Sequence, residues 1–283
     1  MSEGDPGDLD PARRAALAQE LLRALRAHCP GSRAEPRGSL ARGTADAYSD
    51  IDLTWIVPDS RFDDCVAAVP AVLGAVREVA SLRVDPDLQN SRKRRLLFAD
   101  FDGLPLFWRL DLEIVALSAA DLPGYDQGNP AARGEDWSRP ASALANAVAA
   151  VKAVLRGQPQ VARGLLERGF ARTGALDEVT GDWADDITRL AEAAAAREPA
   201  LGPLADRVRW LASDHRADFL WPALPDAVRE EVDALAVLGR TVQAVALIRR
   251  CGIEPPPALR ACVQLVGQRR LALADRIPPP PPA

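Results

Sequence analysis

The segment Asp50-Ile-Asp-Leu-Thr-Trp-Ile-Val57 restricts the fold of this chain more than any other. Side chains of a strand alternate between its two faces. Asp50 and Asp52 therefore point one way, while Ile51, Leu53 and Trp55 point the other. One face must meet a hydrophobic core, and the opposite face carries two carboxylates. These repel each other unless a cation lies between them. Hard oxygen donors at this spacing suit Mg²⁺, which is usually held by one or two carboxylates together with phosphate oxygens. Upstream, the small Gly38-Ser39 turn offers backbone N–H groups able to cradle phosphate.

Taken together, Gly38-Ser39-Leu40-Ala41-Arg42-Gly43 and Ser49-Asp50-Ile51-Asp52-Leu53 resemble the signature of the DNA polymerase beta-type nucleotidyltransferase superfamily. The likeness is to its bacterial branch of minimal and small-molecule enzymes, the aminoglycoside nucleotidyltransferases among them. The resemblance implies a third carboxylate on a later strand. Residues 105–117, Pro-Leu-Phe-Trp-Arg-Leu-Asp-Leu-Glu-Ile-Val-Ala-Leu, form the best second strand. Trp108, Leu110, Leu112 and Ile114 fall on one face, and Phe107, Arg109, Asp111 and Glu113 on the other. Asp111 matches the third acidic position by context, with Glu113 as its rival. The alternative is that Arg109, Asp111 and Glu113 form the solvated face of an ordinary antiparallel strand; the upstream match weighs against it for Asp111 and leaves it open for Glu113.

The resemblance further implies transfer of a nucleoside monophosphate from an NTP, ATP for example, to an acceptor hydroxyl, with release of pyrophosphate. Asp50, Asp52 and Asp111 would bind two Mg²⁺ ions, and Glu113 would act as a general base. Gly38, Ser39 and Ser49 would hold the β- and γ-phosphates, while Arg42 and Lys152 would neutralise the triphosphate. Three acceptor classes stay open: a small molecule, aminoglycoside-like among others; RNA; and a protein side chain. A nucleotide-binding or regulatory protein that keeps the fold without turnover is the alternative from another class.

Composition narrows the partners. The net charge of −5 divides into −6 over residues 1–139 (23 acidic, 17 basic) and +1 over residues 140–283 (17 acidic, 18 basic). Neither half is the strongly basic body of a dedicated nucleic-acid binder, which favours a small acceptor. The run Arg92-Lys93-Arg94-Arg95 is the local exception. It reads either as a solvated hairpin end or as a contact to triphosphate or an anionic acceptor. No apolar run approaches the ~20 residues needed to span a bilayer. The acidic N-terminus lacks a signal-like pattern, so a cytoplasmic location is expected. Four scattered cysteines without a Cys-x-x-Cys pair read as buried thiols in a reducing compartment.

The spacing of apolar residues predicts an α+β fold: a small mixed sheet with helices on one face, then an all-α bundle. The expected divisions are a catalytic domain at 1–122, a linker at 123–140, a helical domain at 141–277 and a proline-rich tail at 278–283. Residues 11–28 should form a helix capped by Asp10, and 39–45 should begin another. The segment 62–79 should be helical, with Pro70 marking a kink or break. Strands are expected at 51–57, 79–84, 95–101 and 106–115, after a short extended segment at 33–37. In the second half, helices are expected at 141–156, 159–170, 175–197, 203–213, 224–250 and 256–275.

Only two lysines accompany 33 arginines. Lys152 lies at the edge of the stripe Leu144, Val148, Val151 and Leu155, where it would either snorkel to solvent or reach a phosphate. Trp137, Trp183 and Trp210 would line a base or acceptor pocket, or else join the core. Gly181-Asp182-Trp183-Ala184-Asp185-Asp186 offers an acidic cluster for a cationic acceptor, or the loop and first turn of a helix.

Overall fold

The computed structural model describes residues 9–175, 177–253 and 256–274. They belong to two compact units, Met1–Ser138 and Arg139–Ala283. The proline-rich stretch at 278–283 lies outside the described residues.

The first unit is built around one five-stranded mixed sheet. Helix α1 (Pro11–His28) has Asp10 as its N-cap, the carboxylate accepting from Ala12 N–H. Strand β1 (Arg33–Pro36) and the short helix α2 (Gly38–Arg42) lead into β2 (Ile51–Val57). Helix α3 (Phe62–Gly74) runs through Pro70 without a break. It is followed by β3 (Val79–Val84), β4 (Arg94–Phe101) and β5 (Leu110–Ala116). The spatial order is β1-β2-β5-β4-β3, with β2 and β5 parallel and the other pairs antiparallel.

Ile51, Leu53 and Trp55 of β2 and Leu110, Leu112 and Ile114 of β5 are fully buried. Helices α1 and α3 contribute Leu21, Leu25, Cys65 and Val69, also fully buried, and both pack against sheet strands. Trp55 settles its one polar group by donating from Nε1 to Ser32 Oγ at 3.0 Å. The alternation thus folds as hydrophobic burial requires, with the acidic face directed away from this core.

In this unit the structure corrects the expected start of β5 and the expected linker. Residues 106–108 are a turn of 3-10 helix, not the start of a strand, because Pro105 fixes a turn that Trp108 N–H closes onto its carbonyl. Phe107 and Trp108 are therefore both buried instead of lying on opposite faces. The segment expected as a linker from 123 also folds back onto the first unit. Asn90 N–H donates to the Ala132 carbonyl, Gly134 N–H donates to that of Pro86, and Ser91 Oγ donates to Asp126 at 2.5 Å. Beyond Glu113 the acidic face turns apolar, and Ile56 and Val115 pack there with Ala119 and Tyr125.

The second unit is helical: α4 (Arg139–Leu155), α5 (Pro159–Thr173), α6 (Trp183–Arg197), α7 (Gly202–Asp214), α8 (Arg216–Leu220), α9 (Asp226–Val237), α10 (Thr241–Arg249) and α11 (Leu259–Ala272). The long helix expected over 224–250 is divided, because Gly239 takes φ of 71°, a conformation that ends a helix cheaply only for glycine. Of the helix expected over 175–197, residues 177–182 are not helical; Asp182 caps α6 by accepting from Asp185 N–H. Helices α8 to α11 enclose their own core, including Leu220, Val232, Ile248 and Leu265. Among the described residues no helix is long and apolar enough to cross a membrane.

Candidate active site

The acidic face of the sheet brings together residues distant in sequence. In the parallel pairing of β2 with β5, Asp52 lies beside Asp111 and Thr54 beside Glu113. Asp50 precedes the strand by one residue, and Ile51 N–H is fixed by the carbonyl of Arg109 at 2.9 Å. Asp50, Asp52 and Asp111 are all half-buried. Burial raises the pKa of Asp52, and the charges of Asp111 and Asp50 raise it further, against the opposing pull of Arg37 and Arg109. Burial first, and the two neighbouring carboxylates after it, thus disfavour the charged form of Asp52.

Gly38 closes one side. Its φ is +59°, and a Cβ placed there would lie 2.5 Å from Asp52 Oδ2. Only glycine lets the backbone approach this carboxylate so closely. Arg37 N–H donates to the Asp52 carbonyl at 2.9 Å, which ties the turn to the strand. Ser39 follows on α2, half-buried, whereas Arg42 at the end of that helix is exposed.

Glu113 is occupied otherwise. It accepts from Arg37 at 2.8 Å and from Arg94, and it is 7% exposed. With both oxygens engaged by guanidinium groups it braces Arg37, and the general-base role expected for it would require one of those bonds to be released. Asp111 likewise accepts two bonds from Arg109, at 2.7 and 2.9 Å, in the bidentate arrangement that suits guanidinium. Arg109 stacks over Phe98, 4.9 Å from the ring centroid. Burial disfavours the charge of Arg109, but Asp111, then Asp50 and Asp100, outweigh it and raise the pKa.

Ser49 is engaged within the loop before β2. Its hydroxyl donates to Asp46 Oδ1 at 2.7 Å and accepts from Asp46 N–H at 3.0 Å, so it shapes the loop that delivers Asp50. Beneath that loop lies Arg14 of α1, only 2% exposed, which donates to the carbonyls of Asp46 and Ser49. Burial lowers its pKa, an effect countered in part by Asp46 and Asp50. In the sequence Arg13-Arg14 looks like the solvated side of an amphipathic helix. Arg37 and Arg109 were more legible, since each lies next to or two residues from a motif residue.

The run Arg92–Arg95 is not one solvated stripe. Lys93 pairs with Asp59 and Ser118, Arg94 turns to Glu113, and Arg95 lies 5.8 Å over the Phe62 ring on the opposite face. Strand alternation from Arg94 onward separates its members. In the second unit, Lys152 is 6% exposed, flanked by buried Val151 and Ala153, and so does not snorkel to solvent.

Among the described residues no three carboxylate, imidazole or thiol groups form a ready-made metal cage. The residues present fit an open cation site, with Asp50 and Asp52 as first donors and oxygen atoms of a ligand completing the shell. Asp111 joins only as far as Arg109 releases it. No family model, curated protein or solved structure matches the chain.

Proposed function

We propose that the first unit is a nucleotidyltransferase fold and that the protein moves a nucleoside monophosphate from an NTP to the hydroxyl of a small acceptor. The observation that carries this reading is the parallel register of Asp52 with Asp111, with Gly38 against Asp52. It gathers Asp50, Asp52 and Asp111 with the Gly38-Ser39 turn on one side of the sheet.

In this reaction the acceptor oxygen bonds to the α-phosphorus, and the bond from that phosphorus to pyrophosphate breaks. The hydroxyl proton passes to solvent, and pyrophosphate leaves. A divalent cation such as Mg²⁺ supplies charge neutralisation for the triphosphate when bound, with Asp50 and Asp52 as its holders. Gly38 and Ser39 bind phosphate oxygens through backbone N–H and hydroxyl. Arg37, aimed by Glu113, offsets their charge, and Asp111 orients the acceptor hydroxyl.

The test is Mg²⁺-dependent pyrophosphate release from ATP and other NTPs with a panel of small hydroxyl acceptors, aminoglycosides included. Turnover should fall by roughly 10²-fold or more in Asp50→Ala and Asp111→Ala. A fully active Asp111→Ala would overturn the assignment of the third carboxylate. The second reading, a nucleotide-binding protein without turnover, draws on the two bonds by which Arg109 engages Asp111. Saturable NTP binding with no transfer to any acceptor would decide for it.

A further inference from the structure

Asp50 lies one residue before β2, outside the regular ladder of the sheet. Its side chain can be held in one direction only if the two peptide units flanking its Cα are held, because each unit is planar and rigid. The unit that follows is fixed by β5: Ile51 N–H donates to the Arg109 carbonyl at 2.9 Å. The unit that precedes it contains the Ser49 carbonyl. That oxygen accepts from Arg14 Nη1 at 3.3 Å, across 35 residues of sequence.

The same nitrogen of Arg14 also donates to the Asp46 carbonyl. Arg14 therefore grips both ends of the turn from Asp46 to Ser49, which is closed internally by Ser49 N–H on the Asp46 carbonyl at 3.2 Å and by the Ser49 hydroxyl on Asp46 Oδ1. Its neighbour Arg13 lies 5.9 Å over the ring of Trp108, the residue before Arg109. Two consecutive residues of α1 thus reach the two segments that bracket Asp50.

Stability alone does not account for Arg14. It stands one turn before Leu17 and Ala18 on the buried side of α1. Burying a guanidinium there is costly, and its Nε, buried as well, has no partner among the described residues. An apolar side chain would avoid that cost but could not hold the two carbonyls. The charges of Asp46 and Asp50 partly offset the burial of the cation.

We propose that Arg14 is a positioning residue for Asp50: from helix α1 it fixes the peptide unit before Asp50 and so aims this carboxylate as a cation donor. The inference rests on the cation-holding role given to Asp50 above. Groups that orient a metal ligand from behind typically change metal affinity by about 10–100-fold when removed.

Two measurements on the full-length protein separate the parts of this claim: native-state hydrogen exchange without added metal, and calorimetric titration with Mg²⁺. In Arg14→Met the Ser49 and Ile51 amides should exchange about tenfold faster, the factor that one lost hydrogen bond supports, while Leu53 and Trp55 within β2 keep native rates. Mg²⁺ affinity should fall by about tenfold or more. Should Arg14→Met not fold, Arg14→Lys, which keeps the charge but lacks the fork, carries the same two readings with a smaller loss. Arg26→Met is the control, since Arg26 ties the other end of α1 to the Ala34 carbonyl at 3.0 Å; both readings should stay native in it. Native exchange at Ser49 and Ile51 in the folded Arg14 variant would overturn the hold on the loop. Faster exchange with native Mg²⁺ affinity, or an equal loss of affinity in Arg26→Met, would overturn the positioning role. A native protein that binds no Mg²⁺ at millimolar concentration would instead overturn the cation site itself, and with it Asp50 as a donor, whatever the exchange rates show.

Discussion

Asp52 concentrates the electrostatics of the acidic face in one side chain. Its native pKa lies above the ordinary value, chiefly through burial and then through Asp111 and Asp50, so the folded protein holds this proton more tightly than the unfolded chain. That contribution to stability is present at acid pH and is lost as pH rises from the ordinary aspartate range through the raised native value. Asp52→Asn stays neutral throughout. It should melt above the native protein near neutrality, and the gap should close toward about pH 4 in a series of thermal melts. Added Mg²⁺ should raise the melting temperature of the native protein and leave Asp52→Asn nearly unmoved. Gly38→Ala tests the same contact from the other side. The left-handed backbone alone costs about 1–2 kcal/mol for an alanine, and the new methyl would displace the Asp52 carboxylate. Urea unfolding should show that loss, and calorimetry should show weakened divalent-cation binding. A variant as stable and as cation-competent as the native protein would refute the close approach.

At the scale of elements, β2 was readable because its alternation is strict where it matters: Ile51, Leu53 and Trp55 are fully buried, and Asp52 and Thr54 are not. The start of β5 was not, because Leu106-Phe-Trp108 keeps an apolar pattern that fits a strand and a buried turn equally well. Pro105 decides for the turn. Helix ends in the second unit depended on single glycines, and Gly239 divided what periodicity joined. Arg14 escaped notice because burial of a charged helix residue is a tertiary event; its partners are carbonyls of a loop, which carry no sequence signal. Packing between helices makes a separate prediction. A Cβ on Gly169 of α5 would stand 2.4 Å from Leu190 Cδ2 of α6. Gly169→Ala should destabilise the protein by about 1–3 kcal/mol through overpacking, despite the better helix propensity of alanine. Chemical denaturation measures this directly, and a stabilised variant would show that α5 and α6 can separate without strain.

The molecule as a whole spreads its charge thinly, at −5 over 283 residues, and several of its arginines pair with partly buried acids, Glu113, Asp111 and Asp233 among them. Its thiols are similarly enclosed. Cys29, Cys65 and Cys262 are buried, whereas Cys251 is half-buried. Burial, with Cys29 beside it, pushes the Cys65 thiol up to about 12, and burial raises Cys262 as well. A thiol reagent should accordingly label no more than one cysteine quickly in the native protein and all four after denaturation. Rapid labelling of two or more would contradict this burial. The parallel pairing of β2 with β5 has a consequence in time. β1 finds β2 across the short helix α2 and one loop, but β5 must return across α3, β3 and β4 before Asp111 stands beside Asp52. Contacts so remote in sequence form late. The three-carboxylate face is thus a clock for folding: a growing chain carries Asp50 and Asp52 long before Asp111 can stand beside them.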